Sequence, residues 1–364
     1  MSNAKTKAAE FQERAVTVPT PQNHYSFLVA DNGLMLGLND AGELADFAEA
    51  SDQVIWQAAE ADLTHVASQT SFSVSQQEGR CDLIVDGVSR SYVIAHGPEK
   101  LPSAYLAHLR AEGWVCLTSI LPPEVVDSLQ RVAGSDAYEH LTMNNDSPKI
   151  CQDVAVGIAI SEPISIWLIR EYMSTRDLHL GHPPGFAVLR PYDGESPVQG
   201  WHADIPYIPS IGGNLVADRN GPIKAVQRNV CVSDFRKANG ATAFKLGSHV
   251  LDSPPENWNP ARHGGPTNAR PYSGPEADVL EAPAGSIILY DARTWHRAGF
   301  NHSTRKRAAM LQSFQAADVI PKRDTRPTCA QLHASPVYQD LNRRQQADIT
   351  ELLMNQPDSL QPSS

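Results

Sequence analysis

The chain has 364 residues, 30 Lys plus Arg against 41 Asp plus Glu, and a formal charge of −11. That balance argues against gripping nucleic acid or an anionic membrane surface, both of which need a basic face. With 41% hydrophobic and 20% charged residues the composition is that of a globular protein with a core, and 27 prolines argue against an all-helical bundle.

In chain order, residues 1–25 read as a mobile arm without the apolar run of a secretory signal. Asn39 and Asp40 are placed to cap a helix carrying Leu44, Phe47, Val54, Ile55 and Ala58. Cys81–Val85, then Asp86-Gly87, then Tyr92–Ala95 read as a β-hairpin, because Asp-Gly supplies positive φ. Pro98 and Pro102 flank a boundary near residue 100. A helix over 103–112 ends at Gly113, Trp114–Leu117 is a strand, and Pro122-Pro123 opens a second helix through about Leu129.

From about 185 to 316 short β-like runs alternate with Gly, Pro, Asn and Asp: Phe186–Leu189, Val226–Val232, Thr242–Leu246, Ser286–Tyr290 and Arg307–Phe314. The pattern predicts a sandwich or jelly roll. Ser335-Pro336 opens a tail helix with Val337, Leu341, Ile349, Leu352 and Leu353 on its apolar side. No stretch is long and apolar enough to span a membrane, and the five scattered cysteines form no CxxC pair, so reduced thiols in a cytoplasmic protein are expected.

The chemistry concentrates in two places. In Gly200-Trp201-His202-Ala203-Asp204, strand alternation sets His202 and Asp204 side by side. Trp295-His296 and the turn that follows it lead to Arg305-Lys306-Arg307. If His296 comes near the first pair, two imidazoles and one carboxylate leave three sites open on an octahedral metal, the ligand set of non-heme Fe(II) oxygenases. A 2-oxo acid and O2 would fill those sites, and an arginine fork suits the acid's far carboxylate. Alternation sets Arg307 with Ala309, Leu311 and Ser313 on one strand face. Arg305 and Lys306 read as a solvated turn, His249 as structural, His179 and His182 as a solvated loop, and Trp201, Tyr207 and Trp295 as packing or substrate contacts.

These residues resemble the phytanoyl-CoA dioxygenase family of Fe(II)/2-oxoglutarate oxygenases. The family pattern is HxD followed by H-x-x-G-x-N-x-[ST]-x-x-x-R, matched by His202, Asp204, His296, Gly299, Asn301, Ser303 and Arg307. Asn239–Thr242 and Gly247–His249 are similar to two further family segments, and the resemblance covers about residues 101–316. It implies a mainly β fold with flanking helices around a double-stranded β-helix (jelly roll, cupin-like) core. It implies His202, Asp204 and His296 as iron ligands, Arg307 as the anchor of 2-oxoglutarate, and Thr242 and Gln199 as further cosubstrate contacts. The expected cofactors are Fe(II), 2-oxoglutarate and O2. The expected reaction is hydroxylation of a small molecule with release of succinate and CO2. Asp204 argues against halogenation, for which relatives carry Gly or Ala at that ligand. Many relatives have serine where this chain has Ala298.

The division expected is an N-terminal extension over 1–100 (a lid or homodimer contact), an oxygenase domain over 101–316, and a helical tail over 317–364. Two other readings stay open: a jelly-roll binding protein without catalysis, and a cupin-type enzyme that does not use 2-oxoglutarate.

Overall fold

The structure is a computed structural model that describes residues 13–85, 87–194, 202–204, 221–251 and 277–357. Strand β1 (Glu13–Thr17) comes first and pairs in parallel with a strand more than 260 residues away, Arg14 also bonding Asp278. The expected arm is therefore a sheet strand from Glu13 on.

Nine strands then form one antiparallel sheet: β2 (Ser26–Val29), β3 (Met35–Leu38), β4 (Leu44–Phe47), β5 (Trp56–Ala58), β6 (Asp62–His65), β7 (Ser71–Ser73), β8 (Ser75–Gln77), β9 (Arg80–Val85) and β10 (Val88–His96). Along the sheet the order is β7-β6-β5-β2-β10-β9-β8, and β3 and β4 branch from β2. Its end strands β7 and β8 are joined through Val74, and the sheet curls into a nearly closed barrel. Leu28, Leu36, Trp56, Leu63, Cys81 and Tyr92 fill its interior. The helix expected over 44–58 is instead β4, a short 3-10 turn and β5. Asn39 Oδ1 accepts from the Ala41 and Glu43 amides, so it closes a turn between β3 and β4 and starts no helix. The expected hairpin is β9–β10, with Gly87 at φ 75°. Asp86 lies outside the described residues.

Helix α1 (Pro102–Glu112) begins with Pro at its first turn, and Asp52 of the barrel region accepts its Ser103 amide at 2.8 Å. It ends at Gly113, φ 72°, where a Cβ would collide with the His249 ring. Next come β11 (Trp114–Leu117) and α2 (Pro123–Ala133), one turn longer than expected. Two apolar helices that the sequence reading left unassigned follow, α3 (Val154–Ile160) and α4 (Pro163–Met173). After them stand β12 (Leu178–Leu180), β13 (Gly185–Leu189), β14 (Ala225–Cys231), β15 (Ala243–Phe244), β16 (Ala277–Glu281), β17 (Ile287–Asp291), β18 (His296–Arg297) and β19 (Arg307–Ala316). The tail is three helices, α5 (Arg326–His333), α6 (Val337–Asp340) and α7 (Arg343–Met354). The single helix expected from Ser335 breaks at Leu341, because Asn342 and Gln345 form a capping box that starts α7 afresh.

Two sheets make the jelly roll. The major sheet runs β11-β17-β14-β19-β12, with β13 also on β19, and the minor sheet runs β1-β16-β15-β18. Strand alternation gives the major sheet two faces. Val226, Val230, Ile287, Leu289, Ala308 and Met310 face outward into a large core shared with α1–α4 and with Phe27, Val54 and Ile55 of the N-terminal unit. Cys116, Cys231, Ile288, Tyr290 and Ala309 face inward against Phe244, Val279 and Trp295. The N-terminal unit thus packs on the helical layer behind the major sheet.

Candidate metal centre

His202 forms an antiparallel bridge with His296, the first residue of β18, through reciprocal backbone bonds of 3.0 and 2.9 Å. The Asp204 amide bonds the Ala292 carbonyl at 3.0 Å, so the HxD segment extends the minor sheet at the β18 edge. That pairing brings the two imidazoles to 4.2 Å between centroids. Asp204 lies 3.6 Å from His202 Nε2 and 3.4 Å from His296 Nε2, and one ligand atom from each residue falls within 4.8 Å of the others. Ligand atoms about 2.1 Å from a shared ion and at right angles around it stand about 3 Å apart, so this group fits a single metal ion. The His296 Nδ1–H donates to the Thr294 carbonyl at 3.0 Å, which leaves Nε2 with its lone pair toward the site. Both imidazoles are buried, and the Asp204 side chain is 36% exposed.

Arg307 starts β19 on its inward face, two residues before Ala309 of the inner core. It is 5% exposed. Its guanidinium stacks 4.8 Å from the Phe235 ring and donates Nη2–H to the Gly240 carbonyl. Its Nε–H has no hydrogen-bond partner among the described residues. Burial lowers its pKa from the ordinary value to about 10, so it stays charged at neutral pH.

The turn before Arg307 explains the rest of the motif. A Cβ on Gly299 would fall 2.4 Å from the Ala241 carbonyl, so only glycine permits this close approach. Asn301 Nδ2 donates to the Leu189 and Arg305 carbonyls, and its Oδ1 accepts from the Ser303 amide and hydroxyl. Those bonds fix the entry angle of β19 and therefore of Arg307.

The other expectations divide. Thr242 Oγ1 accepts from Asn229 at 3.3 Å. Gln199, Trp201 and Tyr207 lie outside the described residues. Trp295 is buried in the inner core. The His249 ring packs against Gly113, outside the metal group. His179 is no loop residue: it is fully buried in β12, bonded to the Leu180 and Val319 carbonyls. Two site residues were missed. Tyr290 stands 5.0 Å from the His296 ring, and Asn229 bonds it; burial and then Asp204 push the phenol far above its ordinary range. The strand itself gives little signal, since Gln227, Arg228 and Asn229 are three polar residues in a row between apolar ones.

Residues 175–309 match the family described as "Phytanoyl-CoA dioxygenase (PhyH)". That match takes in His202, Asp204, His296 and Arg307, so this part of the chain is similar to the family in its site residues. It is 24% identical over 254 residues to "Dioxygenase olcK" of Penicillium canescens, covering 62% of this chain and 77% of that one. It is 28% identical over 141 residues to the "Probable alpha-ketoglutarate-dependent hypophosphite dioxygenase" of Stutzerimonas stutzeri, covering 35% of this chain and 42% of that relative. Among solved structures, the epimerase SnoN in complex with Fe3+, alpha ketoglutarate and nogalamycin RO aligns at TM-score 0.43 and 17% identity, over 59% of this chain and 84% of that one. AviO1 of Streptomyces viridochromogenes aligns at 0.41 and 15%, over 60% and 96%. Among the described residues, no helix is long and apolar enough to cross a membrane.

Proposed function

We propose that the chain is an Fe(II)/2-oxoglutarate-dependent dioxygenase that hydroxylates a C–H bond of a small molecule. In the overall reaction 2-oxoglutarate, O2 and R–H give succinate, CO2 and R–OH. Bound iron would supply the activation of O2 coupled to loss of the 2-oxo acid's C1 carboxylate. His202, Asp204 and His296 would hold the ion.

The observation that carries the reading is Arg307. A buried, charged guanidinium whose Nε–H has no partner among the described residues, stacked on Phe235 of the same inner core that packs against the metal-fitting triad, is costly unless a carboxylate completes it. The far carboxylate of 2-oxoglutarate is that group. Thr242 and Asn229 stand as cosubstrate contacts, in the role left open by Ala298. Phe244, Tyr290 and Trp295 wall the centre with apolar surface that limits water. Asp204 would be a carboxylate ligand where a halogenase needs room for a halide, which favours hydroxylation over halogenation.

The test is calorimetric titration of 2-oxoglutarate into Fe(II)-loaded protein under argon, followed by succinate measurement on admitting O2. Tight binding with slow uncoupled succinate release is the expected result. Neither binding nor decarboxylation would end the reading and leave a binding protein. Oxidation that proceeds without 2-oxoglutarate would point to cupin-type chemistry instead.

A further inference from the structure

Two arginines near the helical layer are held in ion pairs. Arg170 pairs with Glu49 and Glu351, and Arg176 with Glu49 and Glu171. A different basic group is not. A pocket of about 440 Å³ beside the β12–β13 connection is lined by Lys149, His182, Lys322 and Arg323, with Asn145 and Ser147 among its polar neighbours. Among the described residues no carboxylate lines it, in a chain whose net charge is −11. Lys149 is 8% exposed, donates to Asn145 Oδ1 at 3.0 Å, and makes no ion pair among the described residues. Burial lowers its pKa, and nearby Asp146 opposes that only in part. A lysine sunk into protein with one neutral hydrogen-bond partner costs stability unless a counter-ion arrives. Lys322 and Arg323 are exposed and likewise carry no ion pair among the described residues. His182 Nδ1–H is spent on the Pro183 carbonyl at 2.8 Å, which leaves Nε2 as its remaining polar atom.

We propose that this pocket binds the anionic group, phosphate or carboxylate, of a small molecule. Its place in the fold says which molecule. Gly185 lines the pocket and also pairs with Leu311, so both lie on the inward face of the major sheet. Leu311 is 36% exposed where its inward neighbours Ala309 and Ser313 are buried, so among the described residues the inward face is most open at this point. An acidic group held by Lys149 and Arg323 therefore sits at the rim of the interior that carries the metal group. The substrate class that fits is a small molecule with an acidic end outside the jelly roll and an oxidisable carbon within. This last step rests on the oxygenase reading; the anion site itself does not.

The test is calorimetric titration of inorganic phosphate, and separately propionate, into the full metal-free chain at constant ionic strength. Saturable one-to-one binding of at least one anion is expected. It should weaken tenfold or more in Lys149→Gln, about fivefold in Arg323→Gln, and hold in Arg307→Gln. The exposed Arg323 keeps the test valid if Lys149→Gln fails to fold. A preference above tenfold for phosphate or for propionate identifies the acidic group. Absence of saturable binding, equal binding in wild type and both pocket variants, or loss in Arg307→Gln alone would overturn the proposal. Because no turnover is read, failure here leaves the oxygenase reading standing, and failure of that reading leaves this site standing.

Discussion

The two faces of the major sheet each bury an arginine, and the two are built differently. Arg228 faces the helices, fully buried. Its Nε–H reaches Gln312 at 2.9 Å, one terminal nitrogen reaches Ser165 at 2.7 Å, the other reaches the Ile160 carbonyl at 2.9 Å, and Phe314 stacks on it at 4.6 Å. Each of its nitrogens has a partner within the chain, and the residue ties α3 and α4 to β14. Arg307, on the inward face, has one carbonyl and one ring, and its Nε–H waits. Charge and burial alone do not separate a structural cation from a binding one. What differs between these two is the hydrogen-bond shell, filled at Arg228 and open among the described residues at Arg307 Nε.

The largest effect that would break this contrast lies at the metal group. His202→Ala removes one of three ligands and should abolish both metal retention and succinate formation. Metal content by atomic emission, read beside turnover, checks it, and a variant that keeps stoichiometric iron and normal rate would remove the inward face's claim to chemistry.

The arginines sharpen it. Arg307→Gln deletes two charge-assisted bonds at about 1.5–3 kcal/mol each, which should weaken 2-oxoglutarate by on the order of a hundredfold or more. Arg228→Met should leave that affinity alone and instead lower unfolding stability by about 2–4 kcal/mol, because Gln312, Ser165 and the Ile160 carbonyl lose their donor. Cosubstrate titration and urea denaturation of both variants give a crossed result if the faces divide as described. Parallel results would collapse the distinction. Between these falls Asn301→Ala, which unties the turn ahead of β19. A several-fold loss of 2-oxoglutarate affinity with a small drop in melting temperature is expected, since Arg307 loses its fixed approach and keeps its charge.

The same contrast marks what could be read from the sequence. The triad and Arg307 were legible because each is announced by local spacing: His202 and Asp204 two apart on one strand, and a turn of fixed length from His296 to Arg307. The β9–β10 hairpin and the end of α1 were legible because Gly87 and Gly113 hold φ angles that other residues resist. What was lost depends on distant partners. Nothing in Glu13–Thr17 names Ala277–Glu281 as its neighbour. The apolar spacing from Leu44 to Ala58 satisfies a helical period and a pair of short strands equally, and pairing with β3, β2 and β6 decides for strands. Arg228 and Asn229 are adjacent in sequence and face opposite ways, so only the register assigns one to the helices and the other to the site.

Histidines repeat the lesson at smaller amplitude. His65, in the N-terminal barrel, has both ring nitrogens satisfied: Nε2–H donates to the Gln53 carbonyl at 2.9 Å, and Nδ1 meets the Ser68 hydroxyl at 2.9 Å. Its neutral form is thus complete, whereas His296 Nε2 faces Asp204 in the metal-fitting group. Burial depresses the His65 pKa below 6.5, and the Gln53 carbonyl and Asp52 oppose this only in part. The unfolded chain therefore takes up its proton first as pH falls. Stability from this group is whole above about 6.5 and is lost as pH drops through the depressed folded value. His96, shifted the same way by burial, adds to the slope. Urea unfolding measured between pH 7.5 and 5 should show stability falling with acid, and less steeply in His65→Gln. An unchanged slope would mean that the barrel tolerates the imidazolium, and that a complete shell does not hold this ring neutral.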